Sequence, residues 1–365
     1  MNYQHGGDIY TNEYRLDFSV NINPFGMEET IRKAAKESMR TVTAYPDPRC
    51  RKLRDAVAKK LHVMPDDLIF GNGAAEIIFA LVLAEKPKRA IVVTPCFAEY
   101  EQALKTVDCE IIYYDRKEEE NFSLNEHFLS FLSEQMNRNP DRTQGKPQNE
   151  NGGIDLVFLC SPDNPTGSMI PSELMKQIIA VCEENGIRLV LDESFIEFAE
   201  DRKRDSMISR VQDHTSLFIL RSFTKMYGMP GLRLGYGVCR DRELINRMEM
   251  MRQPWSVSIP AQAAGIEACK LTGWAESVRD YVKEQRLWME KQLEALGLKV
   301  YPSDANYILF YTERELMEPL RKQGILIRDC SNYRGLSKGF YRIAVKLREE
   351  NRELIAVLRT IIKER

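Results

Sequence analysis

The sequence predicts an α/β protein with a mostly parallel sheet covered on both faces, followed by a smaller α+β domain. Three observations predict it. Short β-branched runs alternate with amphipathic stretches through the middle of the chain, which is the pattern of strands joined by crossover helices. Beyond residue 256 the pattern changes to two long helical stretches and then strands. At 365 residues the chain also exceeds what one hydrophobic core usually serves.

In chain order, Glu28–Met39 reads as a helix, and Ala44-Tyr45-Pro46-Asp47-Pro48 reads as an extended turn because each proline fixes its own backbone and restrains the residue before it. Strands follow at Asp67–Phe70, Arg89–Thr94, Glu110–Tyr114, Ile154–Cys160, Arg188–Leu191, Leu217–Arg221 and Leu234–Val238. Between Met136 and Ile154 lies a polar stretch rich in Asn, Pro and Gly, which cannot bury enough apolar surface to offset the entropy of ordering; it reads as a surface loop. Ser258–Leu271 and Glu276–Leu296 are helical, and strands come at Leu298–Tyr301, Tyr307–Tyr311, Ile325–Ile327 and Tyr341–Val345. The division expected is an N-terminal arm with part of the small domain in 1–40, a large domain in 41–255, and connecting helices with the C-terminal small domain in 256–365.

Composition narrows the function. Hydrophobic residues make up 43% and charged residues 29%, an ordinary globular balance that leaves material for a sizeable core. Lys plus Arg number 52 against 54 Asp plus Glu, so no basic field attracts a nucleic acid. No apolar run reaches membrane-spanning length and the start lacks a leader pattern, so a cytoplasmic location is expected, without a membrane partner. Eight cysteines without a CxxC pair and only four histidines offer no metal-ligand spacing. Reduced thiols and no metal are expected.

The strongest chemical signal follows the apolar run at 217–221: Ser222-Phe-Thr224-Lys225-Met-Tyr-Gly228-Met-Pro-Gly231-Leu-Arg233-Leu-Gly235. A hydroxyl before the lysine and an arginine after it can reach one phosphate, and the glycines permit tight backbone passage. Those are the needs of a phosphorylated aldehyde held beside a lysine. Asp192 ends a buried strand, where a carboxylate is costly unless paired, and a protonated ring nitrogen would be such a partner. Asn164, in Ser161-Pro-Asp-Asn164-Pro-Thr-Gly167, can donate to a phenolate oxygen or to a substrate carboxylate. Gly71-Asn72-Gly73-Ala74-Ala75-Glu76 lies between a strand and a helix, so backbone N–H groups at Gly73, Ala74 and Ala75 would seat a phosphate.

The order of these pieces resembles the fold-type I pyridoxal-phosphate enzymes over nearly the whole chain. That resemblance implies pyridoxal 5′-phosphate as cofactor, attached to Lys225, with Asp192 as its ring partner and Ser222, Thr224 and Arg233 around its phosphate. It further implies an aromatic residue stacked on the ring, either Phe97 or Tyr100 of Thr94-Pro-Cys-Phe97-Ala-Glu-Tyr100. A tyrosine from a neighbouring subunit completes the family's site; Tyr45 matches it, and a homodimer with shared sites is implied.

Within this group the two ends of the chain resemble the threonine-phosphate decarboxylases more than the histidinol-phosphate aminotransferases. His5-Gly6-Gly7 and Asn21-Ile22-Asn23-Pro24 carry the resemblance, with Gln253-Pro-Trp-Ser-Val257, Arg328 to Leu336, and Tyr341-Arg342. Phe195 stands where aminotransferases usually have a tyrosine that tunes the lysine linkage. The implied reaction is decarboxylation of O-phospho-L-threonine to (R)-1-amino-2-propanol O-2-phosphate, a step of cobalamin biosynthesis. The alternatives are an aminotransferase of the histidinol-phosphate type and a phosphoserine decarboxylase. The expected grip on this small phosphorylated amino acid is His5, Gly6, Asn21, Asn164, Arg328 and Arg342, since planar guanidinium groups take anions bidentately.

Overall fold

The seven apolar runs of the middle of the chain become the seven strands of one sheet in a computed structural model that describes residues 5–11, 13–137 and 153–363. The strands are β1 (Leu16–Asp17), β2 (Leu68–Asn72), β3 (Arg89–Thr94), β4 (Glu110–Asp115), β5 (Leu156–Cys160), β6 (Arg188–Asp192), β7 (Leu217–Ser222), β8 (Leu234–Val238), β9 (Lys299–Val300), β10 (Tyr307–Tyr311), β11 (Ile325–Leu326), β12 (Arg328–Asp329) and β13 (Phe340–Ala344). The helices are α1 (Glu29–Ser38), α2 (Arg51–Leu61), α3 (Gly73–Glu85), α4 (Ala98–Lys105), α5 (His127–Asn137), α6 (Ser172–Glu184), α7 (Arg202–Asp205), α8 (Arg242–Met251), α9 (Ile259–Lys270), α10 (Trp274–Ala295), α11 (Met317–Lys322) and α12 (Arg348–Lys363).

The large sheet has the order β2-β8-β7-β6-β5-β3-β4, and β8 alone runs antiparallel to its neighbours. Its inner strands are buried on both faces, while the edge strand β4 is half-exposed. In β3, Ile91 and Val93 enter one core while Ala90 and Val92 enter the other, and β5 divides Val157 and Leu159 from Leu156 and Phe158 in the same way. The expected α/β class is therefore the one that forms. The later strands make a four-stranded antiparallel sheet, β12-β13-β10-β9, and β1 pairs with β11 in parallel.

The expected strand at Ile325–Ile327 forms as β11, pairing Ile325 and Leu326 with Leu16 and Asp17, and an unexpected short strand follows it, in which Arg328 and Asp329 turn to pair with Arg342 and Tyr341. The chain changes sheet at Ile327, which brings Arg328 and Arg342 opposite each other. The first strand of the Met136–Ile154 neighbourhood also starts later than expected, at Leu156. The polar stretch before it lies almost wholly outside the described residues.

Helix starts show how the site is left open. Glu28 caps α1 by accepting from Thr30 and Ile31, Asp241 caps α8, and Ser258 caps α9. At α3 no side chain caps the first turn. Among the described residues, no helix is long and apolar enough to cross a membrane, and no cluster of His, Cys, Asp or Glu is fit to hold a metal ion. All eight cysteines are free thiols.

Candidate active site

Ligands of open α/β sheets bind beyond the carboxyl ends of the strands. Here β2, β3, β5, β6 and β7 all deliver their following residues to that edge: Gly73, Phe97, Asn164, Asp192 and Lys225 border one cavity of about 160 Å³, apart from Gly73, which stands behind Ala74 and Ala75 in its wall. Because β8 is reversed, its first residues lie at the same edge, and Arg233, just before β8, joins the lining.

Lys225 is half-buried, and desolvation, with Arg342 and Arg233 nearby, pushes its amine down to about 8, against the opposing pull of Asp192 and Glu99. Its Nζ lies 5.8 Å from the centre of the Phe195 ring. Asp192 is buried at the end of β6. Tyr100 Oη donates to its Oδ2 at 2.6 Å, and the Ser194 N–H donates to Oδ1 at 2.8 Å. Burial raises the Asp192 carboxyl, while these donors and Lys225 oppose the rise.

The expectation left Phe97 and Tyr100 open as the stacking residue, and the structure separates them. Tyr100 is stacked on Phe158 at 4.7 Å and spends its hydroxyl on Asp192. Phe97 is half-buried on the cavity wall, edge-on to Tyr100 at 5.8 Å. Tyr100 is thus placed as the support of Asp192, and Phe97 has the free face.

The other wall is cationic and polar. Gly73 takes φ +77°, which favours glycine, and a Cβ there would come within 2.3 Å of the Arg233 guanidinium, so a side chain at this position would push that guanidinium aside. Ser222 Oγ and Thr224 Oγ1 are 2.7 Å apart beside the uncapped start of α3. Behind this turn, Ser256 donates to Glu76 at 2.8 Å and Asn72 Nδ2 donates to the Ser256 carbonyl at 3.1 Å, which ties the 253–257 segment to the base of α3.

Asn164 accepts a short hydrogen bond from Arg342, whose other terminal nitrogen donates to the Ser19 carbonyl at 3.0 Å. Arg342 Nε has no hydrogen-bond partner among the described residues. Asp163, beside Asn164, forms a buried ion pair with Arg116 at 2.8 Å, which fixes the loop and leaves Asn164 to the cavity. Asn21 is buried with its Oδ1 unpartnered among the described residues. Its segment is pinned to the lysine loop because Asn23 donates to the carbonyls of Lys225 (3.1 Å, backbone) and Met226 (2.9 Å, side chain).

His5, Gly6 and Arg328 line a separate, wider cleft of about 500 Å³. Arg328 donates to Asn332 at 2.8 Å and lies over the Tyr333 ring. Gly6 is packed so closely on Ser19 that a Cβ would meet its carbonyl oxygen at 2.4 Å. The substrate-side residues thus fall into an inner group with Lys225 and an outer group with His5. Tyr45 joins neither: it is 79% exposed and stacked on Trp255 at 4.7 Å, away from the cavity of its own chain.

A model of class I and II aminotransferases matches residues 14–358. The chain belongs to the class I and II aminotransferase family. Among its relatives, the threonine-phosphate decarboxylase of Salmonella typhimurium is 36% identical, over 99% of this chain and 97% of that protein. Histidinol-phosphate aminotransferase 2 of Archaeoglobus fulgidus is 33% identical over 95% of this chain and 93% of its own length. The crystal structure of the histidinol-phosphate aminotransferase from Clostridium acetobutylicum superposes with a TM-score of 0.85 at 27% identity, covering 96% of this chain and all of that one (100%).

As a member of this family the protein is a pyridoxal-phosphate enzyme, and its residues fit that cofactor. A half-buried, depressed lysine, a buried carboxylate held by two donors, an uncapped helix start and a glycine cradle against an arginine are the four contacts such a group needs. Sequence reasoning missed two contributors. Ser194, two residues beyond Asp192, supplies a backbone donor that no side-chain pattern advertises. Glu99 lines the cavity too, but an acid in the first turn of a helix is ordinarily a surface partner of the helix dipole, so nothing marked it as buried.

Proposed function

We propose that this enzyme decarboxylates O-phospho-L-threonine, giving CO₂ and (R)-1-amino-2-propanol O-2-phosphate. The observation that carries the reading is the full-length similarity to a threonine-phosphate decarboxylase. Arg342 and Arg328, opposite each other on β13 and β12, are its physical counterpart, because a substrate with a carboxylate and a phosphate needs two cationic groups within its reach.

When bound, pyridoxal phosphate supplies an electron sink for the pair released at the substrate Cα. The remaining work falls to the chain. Lys225 would hold the cofactor, and Asp192, steadied by Tyr100, would pair with its ring nitrogen. Phe97 would stack on the ring, Gly73, Ala74, Ala75, Ser222, Thr224 and Arg233 would hold the phosphate, and Asn164 would donate to the ring oxygen. Arg342, aimed by Asn164 and Ser19, takes the substrate carboxylate next to Asn21. Arg328, with His5 and Gly6, takes the phosphate. This two-point grip would fix both ends of the substrate and so select which Cα bond is presented for cleavage. Lys225, its amine lowered to about 8, would be the group that delivers a proton to the substrate Cα near neutrality.

The same reading includes a homodimer in which Tyr45 serves the partner's site, the three-part division at residues 40 and 255, a place in cobalamin biosynthesis and a cytoplasmic location. The test is product analysis with holoenzyme and O-phospho-L-threonine alone. CO₂ and aminopropanol phosphate without any oxo acid are expected. Turnover only of histidinol phosphate with 2-oxoglutarate would replace the reading with the aminotransferase, and preference for O-phospho-L-serine would shift the substrate.

A further inference from the structure

The cavity contains one buried carboxyl with no role so far. Glu99 sits in the first turn of α4, two residues after Phe97, and its side chain is 14% exposed. Its Oε1 lies 3.4 Å from His5 Nε2, and its Oε2 is buried with no hydrogen-bond partner among the described residues. Leaving a charged oxygen buried and unpaired is costly, so this carboxyl has reason to keep a proton. Burial pushes it up to about 7, opposed by its own backbone N–H and by Lys225. His5 is pushed the other way, by burial and by Arg328. Near neutrality the carboxyl and the imidazole compete for one proton.

Their position gives that competition a use. Glu99 lines the inner cavity with Lys225, while His5 lines the outer cleft with Arg328. The pair therefore joins the two. The charged groups facing it are Arg328 on the His5 side and Lys225 on the Glu99 side, and Lys225 in turn faces Arg342, Arg233 and Asp192.

We propose that Glu99 is a positioning residue that transmits the charge of a bound phosphate from His5 to Lys225. An anion against His5 and Arg328 draws the shared proton from Glu99 Oε to His5 Nε2; one O–H bond breaks, one N–H bond forms, and no proton enters or leaves. The carboxylate left behind faces Lys225 and holds its amine as the ammonium, the form that donates to Cα. The substrate's phosphate thereby arms the proton donor at the far side of the wall.

This rests on the functional reading only in placing a phosphate beside His5, and its test needs no turnover. The holoenzyme's cofactor absorbance is titrated against pH with and without inorganic phosphate. In the native protein phosphate is expected to raise the midpoint of the Lys225-linked chromophore by about one unit, the low end of what a nearby opposite charge does. Glu99→Gln and His5→Asn, each checked for a native holoenzyme spectrum, should lose most of that rise, and Glu99→Asp should keep part of it. With substrate, Glu99→Gln should lower kcat more than it changes KM. No phosphate effect in the native protein, or an undiminished effect in Glu99→Gln, would overturn the proposal. A Glu99-dependent shift in an enzyme that releases no CO₂ would leave this inference standing and remove the decarboxylase reading instead.

Discussion

At the scale of single residues, the decisive fact is that Lys225 is held where its charge is unwelcome. Burial and two arginines lower its amine to about 8, so the neutral nucleophile is abundant well below the usual lysine range. Cofactor capture by the apoenzyme should therefore quicken roughly tenfold per pH unit below that value and level off above it; a stopped-flow absorbance series checks this, and a rate still climbing steeply at pH 10 would contradict it. Tyr100→Phe removes the donor to buried Asp192 but keeps the stack on Phe158. Because hydrogen bonds to charged groups contribute about 1.5–3 kcal/mol, kcat should fall by about 10- to 100-fold with little change in the thermal midpoint. Lys225, Asp192, Ser222, Thr224 and Arg233, which the structure brings to one cavity, could be singled out in the sequence because each sits in a short motif whose members are near in sequence. Tyr100 was ambiguous because its partner is 92 residues away, and Glu99 was invisible because its burial depends on an arm that returns from residue 5.

At the scale of elements, the inner strands of the large sheet were legible because a strand buried on both faces must be apolar along its length, and the half-exposed edge strand β4 because of its β-branched and aromatic run Ile111–Tyr114. The two-residue strands β1 and β12 were not, since so short a run carries no period and exists only through its partner. The start of α3 shows an element shaped by the site. A cap such as the one Asp241 gives α8 would occupy the N–H groups that Ala74 and Ala75 present to the cavity. Gly73→Ala tests this. Its positive φ and the 2.3 Å approach to Arg233 predict cofactor binding weakened by at least tenfold, measured by equilibrium titration, and about 1–2 kcal/mol of lost stability in the apoenzyme. Unchanged cofactor affinity would show that the phosphate is seated elsewhere.

At the scale of the whole molecule, the architecture leaves one expected contact unmade within a single chain. Tyr45 projects its ring to solvent against Trp255, which is itself 46% exposed, and the two form an aromatic pair on the surface. Such an exposed aromatic pair suits burial against a second copy, and a two-fold dimer would carry each Tyr45 to the other subunit's cavity. Complementation decides the matter. Lys225→Ala and Tyr45→Ala should each be inactive or nearly so as homodimers. Mixed after partial denaturation and refolding, they form hybrids in which one site combines Lys225 from one chain with Tyr45 from the other. Random pairing makes half the dimers hybrid and restores one site of each two, so about a quarter of native activity should return. Recovery at that level places Tyr45 in the neighbour's site; a mixture no more active than its components, with hybrids present by native mass spectrometry, would confine each active site to one chain.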